Sequence, residues 1–411
     1  MSMAAKMDLR VRVKTLLLWL GSGAAFLLFY ISVSTTTGPA GNGIVYFTAN
    51  LSSLIALQTA LSVNETGRCR RKVNVMFLKT HKCASSTVQN ILMRYADLRN
   101  LTIVLPPDGN YLGHPVKFMA NFTLPLPSVY SHHYNIFCHH TRWHEGNIRS
   151  IMPADTVFIS ILKEPAAMFE SLYNWVKLDV RYGVPLETFI EDPLKHYKNS
   201  SIKDFARNPM MFDFGLDRED FQNPVAIQAK IAEIDRRFGL IMLSEFVDES
   251  LILLRELLCW EWEDIVVFRI NSRRSEYKKR LSPYVQARIR EWNSADHQLY
   301  QHFRERFHAE TRRYGLTRMA EDLRLLRNLT REWYDFCVAR NVARNETQDL
   351  RFQVWHPTVT GFQLTESGLR NPVCVRLAMA ENPYTDALRA KLWPAFVMSK
   401  LIKPQKANDF W

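Results

Sequence analysis

Several absences narrow the chemistry open to this chain. Residues 77–87, FLKTHKCASST, join an apolar run to two lysines and a set of hydroxyl side chains, yet contain no glycine. The nucleotide loop G-x-x-x-x-G-K-[ST] needs two. A kinase or ATPase built around a magnesium triphosphate is therefore a poor fit. No C-x-x-C pair occurs, so the usual zinc spacing is missing. No D-x-D triplet occurs either, which removes the metal motif usual in nucleotide-sugar glycosyltransferases. The net charge of +12 is spread along 411 residues rather than gathered in an arm, and no zinc-finger or RNA-binding signature accompanies it. Nucleic acid is not the expected partner.

Charge is missing altogether from Thr15 to Val33, a stretch of 19 residues. That length spans a bilayer core as a helix. Lys6, Arg10, Arg12 and Lys14 precede it, and no charge follows until Glu65. The positive-inside rule then predicts a cytosolic tail (1–14), a signal-anchor helix (15–33) and a lumenal body. A cleaved leader is the competing reading. Seven N-x-S/T sequons, at Asn50, Asn64, Asn100, Asn121, Asn199, Asn328 and Asn345, agree with a lumenal body. So do six cysteines, all beyond the span, of which some are expected to pair in an oxidising compartment. Cys337 and Cys374 flank a loop-rich stretch and are the best candidate pair.

What is present reads as α/β. Residues 34–70 form a polar stem, 71–320 the catalytic domain, and 321–411 a C-terminal extension. Val73–Leu78, Thr156–Leu162 and Leu240–Leu243 are short apolar runs of buried-strand type. Each is followed by a helical stripe: Val88, Ile91, Leu92 and Tyr95; Phe169, Leu172, Tyr173 and Val176; Leu251, Leu254, Leu257 and Leu258. Repeated strand–helix units predict a parallel sheet flanked by helices. Residues 316–337 read as a further amphipathic helix, and the chain beyond them as irregular.

Ligands of such sheets bind at the carboxyl ends of strands, where helix N-termini attract anions. The loop 79–87 stands there. Lys79 and Lys82 supply charge, Ser85, Ser86 and Thr87 supply hydroxyls, and Ser85 or Ser86 is expected to cap the helix that follows. Without a magnesium partner, the loop suits a group less charged than a transferring phosphoryl, such as a sulfuryl.

FLKTHKCASSTVQNIL (77–92) resembles the 5′-phosphosulfate loop of the galactose 3-O-sulfotransferases. NIFCHHTRWH (135–144), DTVFISILKEPAAMFESLYNW (155–175), the stretch 236–274 and LWPAFVMSKLIK (392–403) are similar to the same family, so the likeness covers about 73–411. The resemblance implies a P-loop-like sulfotransferase fold and 3′-phosphoadenosine 5′-phosphosulfate as donor, with no metal. It implies transfer to the 3-hydroxyl of terminal β-galactose on a glycolipid or a glycoprotein glycan. It implies a Golgi membrane location with the catalytic domain lumenal, and leaves a homodimer open. By residue, it implies that Lys82 binds the 5′-phosphate and the bridging oxygen, with Lys79, Thr80, Ser85, Ser86 and Thr87 completing the cradle. Lys163 and Ser171 match the family's arginine and serine for the 3′-phosphate, although lysine replaces arginine and Glu164 replaces aspartate. Arg273 and Arg274 match a basic segment that closes over the donor. The base is a histidine: His140 is favoured, with His81 as base or acceptor-orienting group. His139 is expected to be structural. Cys83 departs from the family's threonine and is expected not to be a nucleophile.

Overall fold

The computed structural model describes residues 69–126, 133–197, 205–268 and 280–394. The anticipated membrane span, the stem, Arg273, Arg274 and most of 392–403 lie outside these residues. Among the described residues, no helix is long and apolar enough to cross a membrane.

From Arg70 onward the described residues form one compact unit. Its centre is a five-stranded parallel sheet of β1 (Val75–Leu78), β2 (Ile103–Val104), β3 (Ile136–Phe137), β4 (Val157–Leu162) and β5 (Leu240–Leu243), in the order β2-β3-β1-β4-β5. β1 and β5 are buried at every position, as a sheet covered on both faces requires. The three long strands match the apolar runs in the sequence. β2 and β3 do not stand out there, because two residues carry no periodicity.

Helix α1 (Ser85–Leu98) follows β1, and α2 (Pro165–Trp175) follows β4. The chain leaves β1 toward one edge of the sheet and leaves β4 toward the other. The carboxyl ends of these neighbours are therefore the topological switch point, where open α/β sheets bind ligands. Phe77 pairs with Ile159 and Leu78 with Ser160, and two side chains lock the pair. Ser160 Oγ donates to the Leu78 carbonyl at 2.7 Å, and Thr80 Oγ1 donates to the Ile161 carbonyl.

Further helices complete the layers: α3 (Pro209–Asp213), α4 (Pro224–Arg237), α5 (Val247–Leu258), α6 (Pro283–Trp292), α7 (Ser294–Tyr314) and α8 (Leu316–Cys337). The last matches its expected span. The chain beyond it is more ordered than its irregular sequence suggests. β6 (Val338–Val342) and β7 (Gly361–Leu364) form an antiparallel pair, followed by α9 (Pro372–Ala378) and α10 (Glu381–Leu392). A second small core gathers Phe268, Val338, Phe352, Phe362 and Leu364 around the Cys337–Cys374 disulfide. Cys83 and Cys138 are free and buried.

The disulfide closes a loop across 37 positions. Chain entropy assigns about 4 kcal/mol to a closure of that size. Cys337→Ser with Cys374→Ser should lower the thermal midpoint measurably. An unchanged midpoint would show that the small core holds this lobe without the crosslink.

Candidate functional site

The loop between β1 and α1 turns without glycine. Lys82 and Ala84 both take positive φ, 57° and 61°. Left-handed backbone costs an L-residue about 1–2 kcal/mol, so the turn is held by its surroundings. Alternating backbone of this kind makes a concavity of N–H groups suited to an anion.

Neither serine caps α1. The residue before the helix is Ala84, with no side-chain cap. Ser85 Oγ donates instead to the Thr80 carbonyl at 2.7 Å, and Ser86 Oγ donates to the Glu381 carboxylate. The first turn of α1 also holds no acidic residue. Its early N–H groups thus keep the capacity for an external anion. Thr87 is buried in this same turn. Thr80 contributes backbone only, since its hydroxyl is turned into the sheet.

Lys79 is 2% exposed and lies 3.4 Å from Ser85 Oγ, 3.3 Å from Ser86 Oγ and 3.4 Å from Glu381 Oε1. Glu381 opens α10, and Asn110 also donates to it. The sequence reading missed Glu381, which is some 300 residues from the loop and carries no motif. Its carboxylate stands where a bound anion would meet the same lysine and serine. Lys82 points elsewhere: its Nζ lies 3.5 Å from the centroid of the Trp175 ring, a cation–π contact. Trp175 ends α2, one turn beyond the partly exposed Ser171. Lys163, at the end of β4, acts electrostatically on Cys83 and Glu245. Glu164 caps α2 through Ala167 N at 3.0 Å and pairs with Arg290 at 2.7 Å.

The histidines converge on the loop from three segments. His81 is 6% exposed, and its Nδ1 lies 2.9 Å from Asp213 Oδ2. Its backbone N–H donates to the same oxygen at 2.9 Å. His140 follows β3, stacks on His81 at 4.3 Å, and places Nδ1 3.0 Å from the Lys79 carbonyl. A carbonyl only accepts, so that nitrogen carries the proton and Nε2 keeps its lone pair. Tyr111 stacks on His140 at 4.8 Å and brings its hydroxyl to 3.4 Å from His81 Nε2. His114 Nε2 lies 3.4 Å from Asp213 Oδ1. Ligand atoms of His81, His114 and Asp213 fall within 4.8 Å of one another, so this is where the described residues could hold a metal ion.

Asp213 is a second residue that the sequence did not reveal. It is placed by α3, whose Met210 and Met211 N–H groups donate to Asp296 at 3.1 and 2.7 Å. Trp143 N–H donates to the Asp213 carbonyl at 2.8 Å. Gly215, at φ 85°, lets that approach happen: a Cβ there would come within 2.5 Å of the Trp143 oxygen. Burial alone would raise the Asp213 carboxyl, but the charge of His81 and hydrogen bonds from His114 and His81 outweigh it and bring it down to about 2.

Burial, then Arg389 and Lys79, push His139 down to about 3. It is fully buried, with Nε2 3.1 Å from Thr385 Oγ1. Burial and the charge of Lys79 hold His140 well below the usual histidine range. Burial drives the Cys83 thiol far up, which rules it out as a ready nucleophile.

Three outcomes are expected. The unfolded chain protonates His139 near pH 6.5 while the folded chain refuses the proton. Its contribution is intact above that pH and is lost as pH falls, by about 2 kcal/mol at pH 5. Urea unfolding at pH 7 and pH 5 measures this, with His139→Gln reducing the difference. Glu381→Gln strands the buried Lys79 cation, so stability should drop by about 3 kcal/mol. The same change should tighten binding of inorganic phosphate, because a competing carboxylate charge has gone; weaker binding would mean instead that Glu381 helps hold the anion.

Comparison with known proteins supplies the context for this loop. The sequence model of the family described as Galactose-3-O-sulfotransferase matches residues 2–392. The chain is 34% identical to the human protein named galactosylceramide sulfotransferase over 343 residues, 80% of each chain. It is 38% identical to human galactose-3-O-sulfotransferase 2 over 337 residues, 78% of this chain and 84% of that one. It is 35% identical to mouse galactose-3-O-sulfotransferase 3 over 339 residues, 77% of each. The chain belongs to the galactose-3-O-sulfotransferase family and is a sulfotransferase.

Proposed function

We propose that this enzyme moves a sulfuryl group from 3′-phosphoadenosine 5′-phosphosulfate to the 3-hydroxyl of a terminal β-galactose. The observation that carries the reading is the juxtaposition of an uncapped helix N-terminus, flanked by Lys79 and Lys82, with a histidine of the same loop paired to Asp213. The α1 N–H groups and the hydroxyls of Ser85, Ser86 and Thr87 suit the 5′-phosphate. Lys163 and Ser171 suit the 3′-phosphate, and Arg273 and Arg274, which lie outside the described residues, are the basic pair that the family resemblance assigns to the donor. The acceptor we favour is a glycolipid of the galactosylceramide type, with galactose-capped glycoprotein chains as the alternative. The uncharged stretch 15–33 and the sequons support a single-pass Golgi membrane protein with its catalytic domain in the lumen. Nucleotide-sugar chemistry is set aside by the family membership.

The step is an in-line displacement. The acceptor oxygen attacks sulfur as its proton passes to a histidine, and the bond from sulfur to the bridging phosphate oxygen breaks. Negative charge builds on that oxygen, and Lys82, leaving the Trp175 face, neutralises it. His81 is the better base. Asp213 accepts the His81 Nδ1–H, which fixes the tautomer with Nε2 basic, and a carboxylate at 2.9 Å supports the imidazolium once formed. Among the described residues His140 has no carboxylate partner, and the neighbouring Lys79 opposes its protonation. It holds the His81 ring by stacking.

Turnover of labelled donor with galactosylceramide, lactose and N-acetyllactosamine side by side tests the substrate. Label on no galactoside would refute the reading. His81→Asn should lower kcat by about 10²–10⁴, with His140→Asn costing far less; the reverse order would make His140 the base. Asp213→Asn should lower kcat with the donor Kd unchanged, since the His81 tautomer is no longer held with Nε2 basic; a kcat equal to wild type would make the aspartate purely structural.

A further inference from the structure

His114 takes no part in the transfer step, yet its ring is carried into the site. The side chain is 3% exposed, and Nε2 lies 3.4 Å from Asp213 Oδ1. That is longer than a well-formed N–H···O bond, and it leaves a buried nitrogen without a close hydrogen-bond partner among the described residues. A buried polar atom left in this way calls for an explanation. The other oxygen of the same carboxylate lies 2.9 Å from His81 Nδ1. Two imidazole nitrogens and one carboxylate, from three separate segments, thus gather within 4.8 Å of one another.

The surroundings hold this set in place. Asp213 ends α3, whose N–H groups are fixed by Asp296. The His81 backbone N–H donates to Asp213 Oδ2 at 2.9 Å. The His114 ring stacks on Phe205 at 5.4 Å and meets Phe212 edge-on at 5.7 Å, so its flank is apolar. Tyr111 brings its hydroxyl to 3.4 Å from His81 Nε2. A metal-bound imidazole usually donates its second N–H to such a partner, and a phenol oxygen accepts it. The donor atoms select the ion. Imidazole nitrogens suit zinc and its transition-metal neighbours, whereas magnesium and calcium take oxygen. Three protein ligands with a fourth position left for water are a familiar zinc arrangement.

We propose that His81, His114 and Asp213 bind a divalent ion of the zinc type, and that the bound ion shuts the enzyme off. The ion is an inhibitor and not a cofactor of the transfer. Its inhibitory effect rests on the reading of His81 as the base; its binding does not. The ion takes the lone pair of His81 Nδ1. The single proton of the neutral ring then moves from Nδ1 to Nε2, and Nε2 has no lone pair left for the proton of the acceptor hydroxyl. The Asp213 carboxylate turns from supporting an imidazolium to ligating the ion. The chain gains and loses no proton or electron in the exchange.

Calorimetric titration of zinc chloride into the full chain, stripped with EDTA and dialysed, reads the site without turnover. His114→Gln should weaken zinc binding by roughly tenfold or more, since even an outer-shell partner is worth that much. His114→Cys, which restores a zinc ligand, should recover the binding. Thermal melts without zinc check the folding of both variants, and added zinc should raise the midpoint of wild type but not of His114→Gln. Equal zinc affinity in wild type and His114→Gln would overturn the site. Cobalt(II) should give wild type the visible absorption of a nitrogen-ligated ion, and its absence would overturn the site whatever the variants do. In the transfer assay zinc should suppress turnover, EDTA should restore it, and magnesium at the same concentration should leave it unchanged. His114→Gln should need roughly tenfold more zinc for the same suppression. Zinc held through His114 with turnover intact would overturn the inhibitory role. Zinc held through His114 in a chain that transfers to no galactoside would refute the reaction alone.

Discussion

Left-handed backbone at Lys82 and Ala84 is the constraint on which the site depends. Glycine would make this turn at no cost, and here it is made by residues that resist it. The compensation comes from the strands on either side. Thr80 is tied to β4 through the Ile161 carbonyl, Ser160 ties β4 back to Leu78, and Ser85 closes the loop onto Thr80. Because the serine hydroxyls are used this way, the first turn of α1 goes without a side-chain cap and keeps its donors for an anion.

A buried positive group needs a counter-charge when no substrate is bound, and Glu381 supplies one to Lys79. The contact ties α10 to the loop, so that the C-terminal lobe and the catalytic sheet share an electrostatic link. A phosphate entering the cradle meets a lysine that is already paired. An anion that binds there exchanges with a carboxylate rather than neutralising a bare cation, which limits what the unliganded site costs in stability.

The histidines divide by partner rather than by residue type. His139 faces a threonine hydroxyl and is held neutral by burial. His140 faces a backbone carbonyl and a lysine, which fixes its tautomer and opposes its protonation. His81 faces a carboxylate. Three histidines within reach of one loop thus receive three different chemistries from the groups beside them.

The amino-acid sequence by itself determined the parallel sheet, because β1, β4 and β5 are long enough to declare their apolar runs, and it marked the loop 79–87 as a candidate anion site, because its lysines and hydroxyls are contiguous. It also determined the membership of the family and marked Cys337 and Cys374 as a pair. The roles of three residues were decided only by the tertiary structure. Glu381, Asp213 and Trp175 reach the loop from distant segments, and no local spacing records a contact across some 90 to 300 residues. The direction of Ser85 and Ser86 belongs with them. A serine at the start of a helix reads as a cap until the fold offers its hydroxyl a different acceptor, and here the Thr80 carbonyl and the Glu381 carboxylate did so.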